Sequence, residues 1–290
     1  MAHAATLYHY CSNSAFHSIV GQKRVRLSLL SSSNDSKEGS HILDVANKIL
    51  PDDFAEKKEA IAQLERVISA VSAIGFCLSA DGDVLSQWRA YADNAQGVAI
   101  GFDREAINVA AEAEADREIV VRVAPVAYDV EFLTEIMLPD LQPVIEHYSS
   151  GKMQRPRLGT LVSPLTEEER AAENLRYREA IRELFLMLMR IANYAYMIKS
   201  PFFSEEKEWR ILVHLTNLDG VLALPGAKFE SAPEKLKPFR EFPLEGFSPL
   251  VVREVVLGPR NQTPNEVVRL YLSTHGLGHV TVRRSSGSYR

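Results

Sequence analysis

With 290 residues, 46% of them hydrophobic and 24% charged, the chain has an ordinary globular composition and ample apolar content for a sizeable core. A formal charge of −5 gives no general affinity for nucleic acid or anionic membrane. Cys11 and Cys77 stand too far apart for a metal-ligand motif or a disulfide framework, so a reducing cytosol is the expected setting.

Residues 1–7 contain neither a basic nor an apolar region, so no signal peptide is expected. Leu7 to Cys11 reads as a strand, and Ser12 to Ser14 offer caps for a helix through Phe16, Ile19 and Val20, closed by Gly21. Alternation over Val25 to Leu29 gives a second strand, followed by a polar loop from Ser31 to Ser36. Pro51-Asp52-Asp53 opens an amphipathic helix with Ile61, Leu64, Ile68 and Val71 at helical spacing. Ile74 to Ser79 is the next strand, and Asp81-Gly82-Asp83 turns the chain into a short helix, Val84 to Asp93, bearing Leu85, Trp88 and Tyr91. Strands follow over Gly97 to Asp103 and Ile119 to Ala127, with Pro125 marking an edge or a strand end.

Helices are expected over 129–148 and 166–198, the second opened by a Thr166 cap and the acidic turn Glu167-Glu168-Glu169. Between them, Ser149 to Pro164 reads as a mobile loop. The most apolar window, Leu184 to Ile198, is interrupted by Arg190 and Asn193 and falls short of the roughly 20 apolar residues a membrane span needs. It reads as a buried helix in a soluble, cytoplasmic protein. A strand through Glu206 to Val213 comes next, then an Asp219-Gly220 hairpin turn into Val221 to Leu224. Ser231 to Pro243 reads as a charged, proline-punctuated connection, and Val251 to Leu257 as an apolar strand. Thr263-Pro264 caps a helix through Val267, Leu270 and Leu272, and Val280 to Arg283 closes the sheet. The pattern is that of one α+β domain over 1–290. A mixed central β-sheet carries flanking helices, with helical insertions at about 44–73 and 129–198.

Lys207, Trp209, Ile211 and Val213 fall on one face of the late strand, and Glu206, Glu208 and Arg210 on the other, with neighbours in each row roughly 6.5–7 Å apart. Such a row grips a hydroxylated or cationic substrate while a neighbouring carboxylate acts as base. An Arg210–Glu208 ion pair on a solvated face explains the same pattern. His9 on the first strand suits a ribose hydroxyl, with Tyr10 facing the other way, and Arg26 and Ser28 share a face that can address a phosphate. Trp88 and Tyr91 form either a stacking platform or core packing. The chain has no Gly-x-Gly-x-x-Gly, phosphate loop, Gly-x-Ser-x-Gly or His-Glu-x-x-His, and Asp81-Gly82-Asp83 lacks the remaining ligands of a calcium loop. No metal site is expected.

Tyr8-His9-Tyr10-Cys11-Ser12, Val25-Arg26-Leu27-Ser28 and Ser33-Asn34-Asp35-Ser36-Lys37-Glu38 resemble the opening blocks of domain of unknown function 2971, an uncharacterised prokaryotic family. Phe76 to Ser79, Gln87 to Asn94, Gly97-Val98, Gly101-Phe102, Lys199, Glu206 to Arg210, Val255 to Pro259 and the 285–290 tail extend the resemblance over nearly the whole chain. Cys11 and Ser36-Lys37 depart from the family's usual Thr and Pro-Phe. A His on the first strand, an Arg/Ser strand after it and a late Glu-x-Glu are similar to the NAD site of ADP-ribosyltransferases.

That second resemblance implies an ADP-ribosyltransferase-like fold and NAD as substrate. His9 would then meet the adenosine ribose and Arg26 the pyrophosphate, with Ser28, Asn34 and Arg210 in the same binding set. Tyr10, Trp88 or Tyr91 would stack on nicotinamide. Glu208 would hold the nicotinamide-ribose hydroxyl, and Glu206 would orient or deprotonate the acceptor. The activity implied is NAD cleavage with transfer of ADP-ribose to a protein or nucleic-acid acceptor, or NAD hydrolysis, in a toxin or phage-defence setting. Two alternatives remain. One is a non-catalytic binding module. The other is a Mg²⁺-dependent nuclease built on Asp35, Glu206 and Glu208.

Overall fold

Among the described residues of the computed structural model, alternating strands such as Arg24–Leu29 and continuously apolar ones such as that at 98–102 build one mixed sheet of ten strands. The structure describes residues 5–30, 39–114, 120–157, 159, 164–216, 224–231, 235–244 and 251–289. The strands are β1 (Thr6–Cys11), β2 (Arg24–Leu29), β3 (Val71–Ser79), β4 (Val98–Asp103) and β5 (Val121–Pro125), then β6 (Glu208–Thr216), β7 (Lys228–Ser231), β8 (Leu236–Pro243), β9 (Val252–Leu257) and β10 (Thr281–Arg284). They run in the order β10-β9-β4-β1-β3-β2-β8-β7, while β6 pairs with β3 and β5 with β6. The β10–β9 pair is parallel, whereas β1–β4, β3–β6 and β5–β6 are antiparallel. This is the α+β class, with a mixed, open sheet.

The sheet forks at β3. One edge of β3 takes β6 along its whole length, from Val71 opposite Thr216 to Ser79 opposite Glu208. The other edge is shared. β1 meets it at Tyr8–Ser79, and β2 meets it at Ser28–Gly75 and Leu29–Ile74. Between those contacts, Phe76, Cys77 and Leu78 have no ladder partner on that edge among the described residues.

Helices cover both faces. On one side α1 (Asn13–Gln22), α5 (Arg104–Glu114) and α8 (Asn265–Thr274) pack on Leu7, Phe76, Ile100, Ile211 and Val255. On the other, α2 (His41–Ile49), α3 (Lys57–Ser69), α6 (Val130–Ser149) and α7 (Glu167–Ala192) pack on Val71, Ala73 and Leu212. Each fully buried aliphatic or aromatic side chain stabilises by about 1.5–3 kcal/mol. The β6 alternation therefore sends Trp209, Ile211 and Val213 to one core, and Leu212 with Glu208 and Arg210 to the other side.

Several boundaries differ from expectation. The helix α1 is capped by Ser12, whose hydroxyl accepts from the Ala15 amide. It runs past Gly21 to end at Lys23, which takes a left-handed φ of 48°. The segment after Pro51 forms turns before α3, and Val71 already belongs to β3. The α5 helix follows Asp103, whose carboxylate accepts from the Ala106 amide at 2.8 Å. The α7 helix stops at Ala192, with a 3₁₀ turn at Ala195–Met197. Instead of an irregular connection, 236–243 is strand β8, paired with β2 and β7. The Ser31–Ser36 loop, the Asp219-Gly220 turn and most of the strand after it lie outside the described residues, as do 158 and 160–163.

At the close of α4 (Leu85–Tyr91) the chain folds tightly back on β1. A Cβ on Gly97 would lie 2.0 Å from the Cys11 carbonyl oxygen, so only glycine fits there. Among the described residues, no helix is long and apolar enough to cross a membrane.

Candidate functional site

The fork in the sheet is held open by a side chain. His9 Nδ1 lies 2.9 Å from the carbonyl oxygen of Cys77, on the stretch of β3 whose edge toward β1 and β2 has no ladder partner among the described residues. A carbonyl only accepts, so Nδ1 carries the proton and the neutral ring leaves Nε2 as an acceptor. Burial pushes the His9 pKa down to about 4, and its ring stacks on Phe76 with centroids 4.0 Å apart.

Beside the fork, on the face covered by the helical layer, lies a cavity of about 170 Å³. Tyr8, Tyr10, Tyr91 and Phe203 form aromatic walls, and Cys77, Gln87, Lys199, Glu206, Glu208 and Arg210 supply its polar surface. On the far side of the fork a second cavity of about 470 Å³ is lined by Arg24, Arg26, Ser28 and a row of serines from α1 and its cap. His9 borders both.

The expected row of Glu206, Glu208 and Arg210 on one strand face is broken. Glu206 ends a 3₁₀ turn, Pro201–Glu206, and Lys207 takes a left-handed φ of 44°, so β6 begins only at Glu208. Lys199 restores the cluster from outside the strand. Its Nζ donates to Glu206 Oε2 at 2.6 Å and to Glu208 Oε2 at 3.1 Å, and sits 4.6 Å from the Phe203 ring centre. Arg210 donates through Nε to Glu208 Oε1 at 2.8 Å, through one terminal nitrogen to Oε2 at 3.1 Å, and through the other to the Tyr196 carbonyl at 2.6 Å. The Cys77 thiol also donates to Glu208, while the Glu208 amide is held by the Tyr128 hydroxyl at 3.0 Å.

Glu208, Lys199 and Arg210 are 6%, 7% and 2% exposed, so this is a buried charge network and not a solvated strand face. Burial alone would raise the Glu208 carboxyl, but Arg210 and then Lys199 outweigh it and hold the group below the usual range. Burial likewise opposes the Lys199 charge, and Glu208 and Glu206 overcome it, so its pKa rises. With two carboxylates against two cations the cluster is close to neutral. A carboxylate has about four acceptor positions. Donors from Arg210, Lys199 and Cys77 fill those of Glu208, whereas Glu206 has one firm donor and a long contact of 3.4 Å from the Tyr91 hydroxyl. Glu206 is thus the carboxylate with spare capacity.

Of the residues expected at the site, His9, Tyr10, Tyr91, Glu206, Glu208 and Arg210 line one cavity. Arg26 and Ser28 line the other, where Arg26 also pairs with Glu230 at 3.2 Å. The Tyr10 hydroxyl is engaged, donating to the Asp81 carbonyl and accepting from the Val84 amide, both at 2.9 Å. Trp88 is 1% exposed, meets Tyr10 edge-on at 4.7 Å and donates to Asp83 at 2.8 Å. It backs the wall rather than stacking on a ligand. The same Asp83 accepts from Ser285 and Ser286, which tie the end of the described chain onto α4. Asn34 and Asp35 lie outside the described residues. No group of three or more metal-ligating side chains is found among the described ones.

Residues 87–211 match the family model described as Protein of unknown function (DUF2971). The likeness read from the sequence motifs is to this family. The DUF2971 match runs from Gln87 to Ile211, so it takes in Tyr91, Lys199, Glu206, Glu208 and Arg210 and leaves His9 and Arg26 outside. No curated protein and no solved structure matches the chain.

Proposed function

We propose that the forked sheet binds NAD and cleaves its nicotinamide–ribose bond, with ADP-ribose passing to water or to a nucleophile on a protein or nucleic-acid acceptor. The observation that carries this reading is the meeting of His9, Tyr91, Glu206 and Glu208 in one aromatic-walled cavity, with His9 also bordering a second, arginine-bearing one. The smaller cavity lies below the roughly 300–1,000 Å³ of sites for drug-sized ligands and suits a single planar ring. The two cavities together suit a longer molecule bent over His9. Nicotinamide packs between Tyr91 and Phe203, the ribose lies over the carboxylates, and the pyrophosphate faces Arg26, Arg24 and Ser28.

As the bond to C1′ breaks, its electron pair leaves with the nicotinamide nitrogen and positive charge builds on the ribose. A carboxylate in a site sheltered from water favours that charge over the ground state, an effect typically worth a few kcal/mol. Glu206 fills this role and takes the proton of the attacking group. Glu208 is a positioning residue that fixes Lys199 and Arg210, a change from the order of roles the ADP-ribosyltransferase likeness implies. Neutral His9 offers Nε2 to a ribose hydroxyl.

One observation favours a second reading. Glu208 is fully engaged by donors, as in a structural network beneath a non-catalytic binding surface. Calorimetry with NAD and an assay of released nicotinamide separate the two. The transferase reading expects wild type to bind and release, and Glu206→Gln to bind without release. Absence of binding at millimolar NAD, or unchanged release by Glu206→Gln, overturns it.

A further inference from the structure

One polar wall of the smaller cavity takes no part in the cleavage. Gln87 stands on α4 and lines that cavity together with Tyr91, which follows it by one helical turn and so shares its face. The residue is only 7% exposed, yet its carboxamide makes no hydrogen bond among the described residues. Neither polar atom of that carboxamide is sealed inside the protein, as the hydroxyl of Ser86 beside it is. Buried amides almost always have partners, so an open one on a cavity wall marks a place where a ligand supplies them.

The other polar walls are committed. Tyr8 donates to Glu254, Tyr10 is held by Asp81 and Val84, and Lys199, Glu208 and Arg210 satisfy one another. His9 has spent Nδ1 on Cys77 and keeps only an acceptor, as does Glu206. Gln87 keeps its full capacity, amide donors and a carbonyl acceptor side by side. Its complement is a planar group bearing the same pair, a primary carboxamide. Each amide then gives one N–H and accepts one. A ketone or a carboxylate brings no N–H and leaves the Gln87 oxygen unpaired.

We propose that Gln87 reads the carboxamide of the nicotinamide ring and makes the smaller cavity selective for a primary aromatic amide. The identity of the ring rests on the NAD reading, and Gln87 adds the recognition of its substituent. Tyr91 and Phe203 hold the ring, with its amide edge toward α4.

Titration of the full chain with nicotinamide and with 3-acetylpyridine, followed by ligand-observed NMR, tests the assignment. The two share shape and neutrality, but in the ketone a methyl replaces the amide nitrogen. Saturable nicotinamide binding is expected, with the ketone at least about tenfold weaker because a buried acceptor goes unpaired. Gln87→Met keeps an unbranched side chain and good helix propensity. It removes an unpartnered amide, so thermal stability should hold or rise. Nicotinamide affinity should fall about tenfold and the preference over the ketone should vanish. A merely structural Gln87 would give the opposite, a lower melting temperature with the preference intact. NAD binding, measured alongside, separates the two ways of failing. If NAD binds but nicotinamide does not outbind the ketone, or the preference survives Gln87→Met, the role of Gln87 is overturned and the NAD reading stands. If neither NAD nor nicotinamide binds, both fall.

Discussion

His9 donates its Nδ1 proton to the carbonyl of Cys77 at 2.9 Å, occupying the hydrogen bond that a neighbouring strand would otherwise supply to β3. A side chain standing in for a strand both opens the sheet and stays neutral near physiological pH.

Its titration follows directly. The folded pKa near 4 is below the ordinary 6.5, so the unfolded chain takes up the proton first. The contribution to stability is complete above pH 6.5 and is lost as pH falls from there toward 4. His214, pushed down to about 4 by burial and by Arg122, acts over the same window. Melting temperature should drop across this range, and His9→Gln, which keeps an amide donor for Cys77, should flatten part of the slope. An unaltered slope in the variant would contradict the assignment.

Glu206 and Glu208 should differ in stability as well as activity. Removing the charge of Glu208 leaves Arg210 and Lys199 buried with too little compensation, so Glu208→Gln should destabilise by about 3–5 kcal/mol. Glu206→Gln, at the cavity edge, should cost much less and is the cleaner probe of chemistry. Denaturant unfolding of both variants decides the point, and equal losses would show that the two carboxylates share one structural role.

The thiols should be told apart by alkylation. Cys77 is exposed and borders the cavity, while Cys11 is 4% exposed and burial pushes its thiol up to about 12. Mass spectrometry after iodoacetamide treatment of the folded chain should find one adduct, on Cys77. That adduct should block whatever enters the smaller cavity. Alkylation of Cys11 at a similar rate would count against the packing of β1.

Gly97→Ala should be among the most damaging small substitutions. Its Cβ would strike the Cys11 carbonyl, a backbone atom that cannot swing aside, so the loss should reach or exceed the top of the about 1–3 kcal/mol range for overpacking. Gly21→Ala, with nothing within 4 Å, should be neutral or slightly stabilising by helix propensity. Comparable melting temperatures for the two would refute the argument.

The strands that hold the site were legible because β1, β2, β3 and β6 alternate or run apolar in plain sight. What escaped depends on partners far along the chain. Trp88 reads equally as platform or core until Tyr10 and Asp83 close over it. Lys199 carries no spacing signal toward Glu206 and Glu208, because a 3₁₀ turn and the left-handed Lys207 fold the backbone between them. The row of charges on one strand face was accordingly right in membership and wrong in geometry. The α5 helix was missed although Asp103 followed by an acidic first turn is a start signal, and β8 was missed because Pro238 and its lysines mask a strand near the sheet edge.

The two helical pairs enter the fold in the same way. β2 and β3 are antiparallel neighbours, as are β5 and β6, and α2–α3 and α6–α7 are what the chain does in passing from one member to the other. The second excursion leaves and returns through a narrow doorway. Ala127 accepts from the Lys199 amide at 3.1 Å and donates to the Met197 carbonyl at 2.8 Å. Topologically each pair is an overgrown hairpin turn, a cassette exchangeable for a short loop without rewiring the sheet. Because Lys199 is the doorpost of that doorway, a cassette's fit would be communicated first to Glu206 and Glu208.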